Sequence, residues 1–183
     1  MKLKDVYELI KSDCTKYFGN QTLLGIVREY QRSKGFRFTF WMRLCNVSFI
    51  SFFAKIMRRH YMIKFGYEIS ERTKIGKMFA IVHMGGVVIN DKCIIGDNVT
   101  LYNGVTLGGG WKDGEVYAPI IGNNCWIGPK ATVVGKCKIG NNVFIAANAF
   151  VNFDVPDNAL VIGNPGIVKE NKSACKIYMG QLI

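Results

Sequence analysis

The chain is poor in the residues from which metal and nucleophile sites are usually built. It has two histidines in 183 residues, His60 and His83, and its six cysteines form no CxxC pair and no Cys/His cluster. No structural zinc and no other metal is therefore expected. No export signal is expected either. The opening MKLKDVYELIKSDC is charged throughout and has no apolar h-region. Reduced thiols in a cytoplasm are the expectation that follows. Long uninterrupted apolar runs are also missing. The richest stretch, around residues 38–56, is broken by Arg43, Asn46 and Lys55, and each charge at mid-bilayer would cost about 3 kcal/mol. Acidic residues are scarce in one half only: residues 1–77 hold 16 Lys and Arg against 6 Asp and Glu, whereas residues 78–183 hold 8 against 7. Such asymmetry points to a solvated basic helical face, a membrane surface or an acidic substrate. No recognised nucleic-acid motif accompanies it, so no nucleic-acid partner is expected.

What is present has two rhythms. In the first 65 residues the apolar positions recur at helical spacing. Val6, Leu9, Ile10, Cys14 and Tyr17 share a face, with Gly19-Asn20 as a stop. Leu23, Ile26, Val27 and Tyr30 repeat it, with Gly35 as a second stop. Phe38, Trp41, Met42, Cys45, Phe49, Phe52, Phe53 and Ile56 then describe the stripe of one long helix, expected to pack on its own domain. An interfacial helix on anionic lipid is the alternative.

From Ile69 the beat is six. Ile69, Ile75, Ile81 and Val87 are six apart; after a two-residue slip, Ile89, Ile95, Leu101 and Leu107 continue; Ile121, Ile127, Val133, Ile139, Ile145 and Val151 finish. Fifth places are mostly small or aliphatic, among them Gly85, Cys93, Val99, Val105, Cys125, Ala131 and Cys137, with Phe79 the bulky exception. A chain that turns a corner every six residues winds into a prism of short parallel strands, its first residue pointing inward and its fifth fitting near the corner. Asn98, Asn123 and Asn124 belong in the turns, where left-handed backbone is tolerated. The cysteines in fifth places read as interior packing, not nucleophiles.

These hexads resemble the left-handed parallel β-helix acyltransferases, and more closely the serine O-acetyltransferase branch with its short relatives among exopolysaccharide and capsule enzymes. The segments KGFRFTFWMRL, IGKMFAIVHMGGVVIN, VTLYNGVTLGGG, IGNNCWIGPKATVVGKCKIGNNVFIAANAFV and VPDNALVIGNPGIVK carry the likeness. It implies a mainly β fold, a left-handed parallel β-helix of hexapeptide repeats behind a small α-helical domain. The expected division is a basic helical domain at 1–66, a β-helix at 67–168 with an extended loop at 108–118, and a tail at 169–183.

The resemblance also implies an activity: acetyl passes from acetyl-CoA directly to a hydroxyl, in clefts between the subunits of a homotrimer. His83 stands at the place of the general base, and an imidazole titrates where that work needs it. Gly108, Gly109, Gly128, Ala146 and Lys169 match the acetyl-CoA track, and Trp111 and Tyr117 are aromatics of the loop over the cleft. His60 is the rival histidine. Three departures bear on the acceptor. Val82 replaces an aspartate that serine-specific relatives carry just before the histidine, Ala118 replaces a histidine just before Pro119, and the helical region offers no counterpart near Tyr30 and Arg32 for an upstream aspartate. The expected acceptor is therefore a sugar hydroxyl on a small or lipid-linked polysaccharide precursor, with L-serine as the alternative. A non-catalytic scaffold binding a partner enzyme through the tail ending in Ile183 is the other. Peripheral membrane contact through the basic helices would put a cytoplasmic protein at the inner face of the membrane.

Overall fold

A computed structural model describes residues 1–18, 21–112, 114–170 and 175. Four helices come first: α1 (Leu3–Phe18), α2 (Leu23–Arg32), α3 (Lys34–Leu44) and α4 (Ser51–Phe65). The expected stop at Gly19-Asn20 and the terminal Ile183 lie outside the described residues. Gly35 is not a stop. Helix α2 ends at Ser33, whose hydroxyl accepts from the Phe36 N–H and so caps α3 as well. Gly35 lies inside α3, where a Cβ would run into the Ile81 carbonyl oxygen.

The single long helix expected across residues 38–56 is two helices. Between them the N–H groups of Asn46 and Val47 bond back three residues, to Arg43 and Leu44, and the Ser51 hydroxyl donates to the Cys45 carbonyl (2.9 Å). Asn46, Val47 and Ser48 are poor helix formers that favour such local bonds. Val47 turns inward, into a small core with Val6, Ile10, Cys14, Ile26 and Phe36. The break leaves Phe49, Phe52, Phe53 and Ile56 exposed instead of packed on their own domain.

The remainder is a parallel β-solenoid. Its strands are β1 (Tyr67–Ile69), β2 (Lys74–Ile75), β3 (Ala80–Val82), β4 (Val87–Ile89), β5 (Ile94–Ile95), β6 (Thr100–Tyr102), β7 (Thr106–Gly108), β8 (Gly110–Lys112), β9 (Glu115–Tyr117), β10 (Ile120–Ile121), β11 (Trp126–Ile127), β12 (Thr132–Val134), β13 (Lys138–Ile139), β14 (Phe144–Ile145), β15 (Phe150–Val151), β16 (Ala159–Ile162) and β17 (Ile167–Glu170). Three sheets form the faces: β1-β4-β7-β12-β15, β13-β10-β5-β2, and β17-β16-β14-β11-β6-β3. Strands β8 and β9 make an antiparallel hairpin in the 108–118 loop, and β17 folds back antiparallel on β16. First-place residues and the small fifth-place residues line one continuous interior, which Phe38, Met42, Phe65 and Tyr67 close at the helical end. Burial pushes the Cys93 and Cys125 thiols up to about 12, as befits inert packing groups. Asn98 and Asn124 adopt left-handed corners, φ +57° and +55°. Asn123 does not; its side chain instead accepts from the Asp97 N–H (2.7 Å), tying one coil to the next.

The register relocates the slip. Ile81 stacks on Leu101 and Ile127, and Ile89 on Leu107 and Val133. The step from Ile81 to Ile89 is thus eight residues where the coils above use six. Val87 is not a coil start but lies level with fifth-place Val105, whose carbonyl accepts from the Val88 N–H. Gly85 is not a fifth-place residue but part of the enlarged corner His83-Met84-Gly85-Gly86. No helix among the described residues is long and apolar enough to cross a membrane.

Candidate active site

Everything around His83 follows from that enlarged corner. His83 leaves β3 with φ +67°, a conformation that a non-glycine residue adopts only when its surroundings hold it. The Tyr67 hydroxyl donates to the His83 carbonyl (2.9 Å), and the Gly85 N–H donates to the Phe65 carbonyl (2.9 Å) at the end of α4. Gly66, at φ +70°, lets helix and corner approach: a Cβ there would lie 3.3 Å from the Gly86 nitrogen. The exposed imidazole stands edge-on to Tyr102 at 5.7 Å, and its nitrogens have no hydrogen-bond partner among the described residues. A ring so placed is fixed by its backbone and one aromatic wall, and both nitrogens remain available for proton transfer.

His83 and Val82 line a cavity of about 560 Å³ with Tyr17, Glu29 and Arg32. Glu29 is the residue the sequence reading missed. It comes from α2, is 1% exposed, and neither carboxylate oxygen makes a well-formed hydrogen bond. Burial raises its pKa to about 7, partly offset by Arg32, the Ser33 hydroxyl and Arg28. A buried carboxyl facing a cavity that a guanidinium and an imidazole also line is poised to receive a donor from a ligand. The helical region therefore does supply a carboxylate near Tyr30 and Arg32. The signal was one Glu on the buried face of an amphipathic helix, one residue before Tyr30.

Gly128 and Ala146 lie on the same prism edge as this corner. Val82 pairs with Tyr102, and Gly128 and Ala146 follow the paired Ile127 and Ile145. A Cβ on Gly128 would meet the Trp126 ring and the Ala147 nitrogen, so close coil packing also requires glycine there. Gly108 and Gly109 are elsewhere. Gly108 pairs with Val134 on another face, and both glycines line a separate groove with Asn90. A Cβ on Gly109 would strike the Tyr117 carbonyl, and one on Gly110 the Tyr117 ring, which accounts for Tyr117 as hairpin packing. Trp111 is 71% exposed on the hairpin. Lys169 is exposed on β17, paired with Leu160. Ala118 is half-buried against the prism core. His60 is exposed on α4 against Tyr61 and does not line the cavity. One chain thus brings His83, Val82, Glu29 and Arg32 together, and keeps Gly108 and Gly109 apart from them.

Comparison with known proteins gives the geometry its context. The family model described as bacterial transferase hexapeptide (six repeats) matches residues 118–152. Serine acetyltransferase of Staphylococcus aureus (strain Mu50) is 50% identical over 107 residues, 58% of this chain and 50% of that protein. The Staphylococcus epidermidis (strain ATCC 12228) protein of that name is 48% identical over 106 residues, 57% and 50% of the two chains. The chain spans about half the length of the curated relatives it matches. Among solved structures, Neisseria gonorrhoeae serine acetyltransferase superposes with a TM-score of 0.79 at 23% identity, covering 96% of this chain and 71% of that one. A soybean serine acetyltransferase complexed with serine gives 0.74 at 26%, covering 91% and 69%. In its repeat the chain is similar to hexapeptide transferases and over 107 residues to serine acetyltransferases, and its fold is similar to that of solved serine acetyltransferases.

Proposed function

We propose that the protein is an acetyl-CoA-dependent O-acetyltransferase in which His83 is the general base. The observation that carries this reading is an exposed imidazole, held on a strained corner, in one cavity with a buried carboxyl and a guanidinium. The acceptor hydroxyl gives its proton to an imidazole nitrogen as its oxygen attacks the thioester carbonyl. The tetrahedral intermediate collapses, the C–S bond breaks, and the imidazolium returns the proton to the departing CoA sulfur. Acetyl-CoA supplies the activated acetyl group; the edge residues Gly128 and Ala146 offer a backbone surface without bulky side chains along which its arm can lie.

The acceptor this cavity suits is L-serine. The sugar expectation rested on charges missing at Val82, Ala118 and upstream of Lys34, on the basic N-terminal region and on the likeness to exopolysaccharide enzymes; only the upstream charge is answered by Glu29. Glu29 and Arg32 supply two charges of opposite sign, which fit the ammonium and carboxylate of a small zwitterion. The relatives named serine acetyltransferase support the same choice. The basic N-terminal region is what favours an acidic sugar precursor. CoA release measured with L-serine and with nucleotide sugars in parallel decides between them: brisk turnover on serine is expected, and turnover on sugars alone overturns the assignment.

Because Gly108 and Gly109 lie on a different edge from His83, a complete cleft needs a second prism. A homotrimer with sites between subunits supplies it, and sedimentation equilibrium should return three times the chain mass.

A further inference from the structure

Among the described residues, helix α4 carries a largely exposed apolar face, touched only at Phe53 by the Trp41 ring. Phe49 just before it, then Phe52, Phe53, Ile56 and Ile63, at steps of three, one, three and seven, share one helical face and are exposed; Phe49 is 76% and Phe52 80% exposed. Isolated exposed apolar residues need no explanation, but a stripe of five large ones marks a docking surface. Its flanks are cationic. Lys55 and Arg59 lie on one side and Lys64 on the other, all exposed. Arg58, by contrast, faces inward, donating to the Ile69 carbonyl and pairing with Glu71 at 2.8 Å. From Tyr30 to Tyr67 the chain carries eight Lys and Arg and no Asp or Glu.

We infer that this face docks on an anionic lipid surface. The helix is too short to span: 15 residues reach about 22 Å, against ~30 Å of hydrocarbon. Lying flat, it sinks its phenylalanines into the headgroup boundary while Lys55, Arg59 and Lys64 meet lipid phosphates, the arrangement expected of an interfacial helix. A second copy suits the face less well. A two-fold pairing of α4 on itself would oppose like charges with no carboxylate on the helix to relieve them. The break at residues 45–50 favours docking as well, because it turns the stripe outward, off its own domain.

Flotation of the full chain with vesicles tests this. Phosphatidylcholine vesicles containing roughly one-third phosphatidylglycerol should carry the protein to the top of the gradient, pure phosphatidylcholine should not, and salt should release it. Lys55→Gln with Arg59→Gln should lower partitioning by about 25-fold, at ~5-fold per cation near the surface. Phe49→Ser with Phe52→Ser should abolish it. All four side chains are exposed, and an unchanged melting curve and serine-dependent CoA release confirm that the variants are folded. Flotation with neither vesicle type, equal flotation with both, or retained binding in the variants overturns the proposal. So does a change of oligomeric mass in the phenylalanine variant, which would assign the face to another copy.

Discussion

Tyr17 holds both backbone polar groups of Ile81. Its hydroxyl donates to the Ile81 carbonyl (3.2 Å) and accepts from the Ile81 N–H (3.0 Å). Strand β3 ends its sheet, so these groups have no strand beyond them, and α1 closes the edge with one phenol. Tyr17→Phe leaves both groups buried and unpaired, at a cost of about 2 kcal/mol. Urea unfolding should show this loss. Because His83 lies two residues on, kcat should fall in the same variant while the KM for acetyl-CoA stays near its starting value.

His83→Ala should lower kcat by roughly 10²–10⁴-fold, the usual contribution of a positioned general base. His60→Ala should leave it within twofold, since His60 lies outside the cavity. Steady-state CoA release on both variants separates the two histidines, and a fall of only a few-fold at His83 would remove it from the mechanism.

Glu29 makes stability depend on pH. Its carboxyl is harder to ionise in the folded chain than in the unfolded one, so the folded protein holds that proton longer. The contribution is fully present below pH 4.5, and it is lost as pH rises through about 7. Glu29→Gln should flatten this decline in urea midpoints measured across that window. With serine as acceptor the same variant should lose about 10- to 100-fold in kcat/KM, mostly through KM, as one charge-assisted contact disappears.

Arg43 fastens the helices to the first coil. It grips Asp13 with two nitrogens (2.9 and 3.2 Å) and donates to the Ile75 and Gly76 carbonyls, while Asp13 accepts from the Phe79 N–H (3.0 Å). Arg43→Ala strands a buried carboxylate and should cost about 3–5 kcal/mol, whereas Arg43→Met with Asp13→Asn should cost less than the single change. Calorimetric melting of both variants checks the order.

The prism was legible because its constraint is periodic and strict. Every first place from Ile81 onward except Val87 has another first-place residue at the same level one coil away, and Cys93, Cys125 and Cys137 pack in the interior as their positions required. Where the period failed, so did the reading: Val87 kept the beat by coincidence, while the two extra residues lay within the corner His83 to Gly86. The helices were less legible because apolar spacing does not say what an apolar face touches. Phe52 and Ile56 fit a packed stripe and are exposed. Glu29 escaped notice for the opposite reason, a charged residue buried by tertiary packing that no local pattern announces. His83 could be found by its place in the repeat; its partners come from α1 and α2, more than fifty residues earlier.

The eight-residue leg has a consequence for how such a protein can change. Extra residues are confined to one corner, and Ile89 re-enters the column beneath Leu107 as though none had been added. On the proposed function, chemistry is thus carried on a bulge outside the repeating frame. The corner can be lengthened, shortened or exchanged for another without moving the coils that follow. With the proposed function, a chain built this way would change its acceptor by editing a few residues of one turn and the helix that faces it, leaving the scaffold untouched.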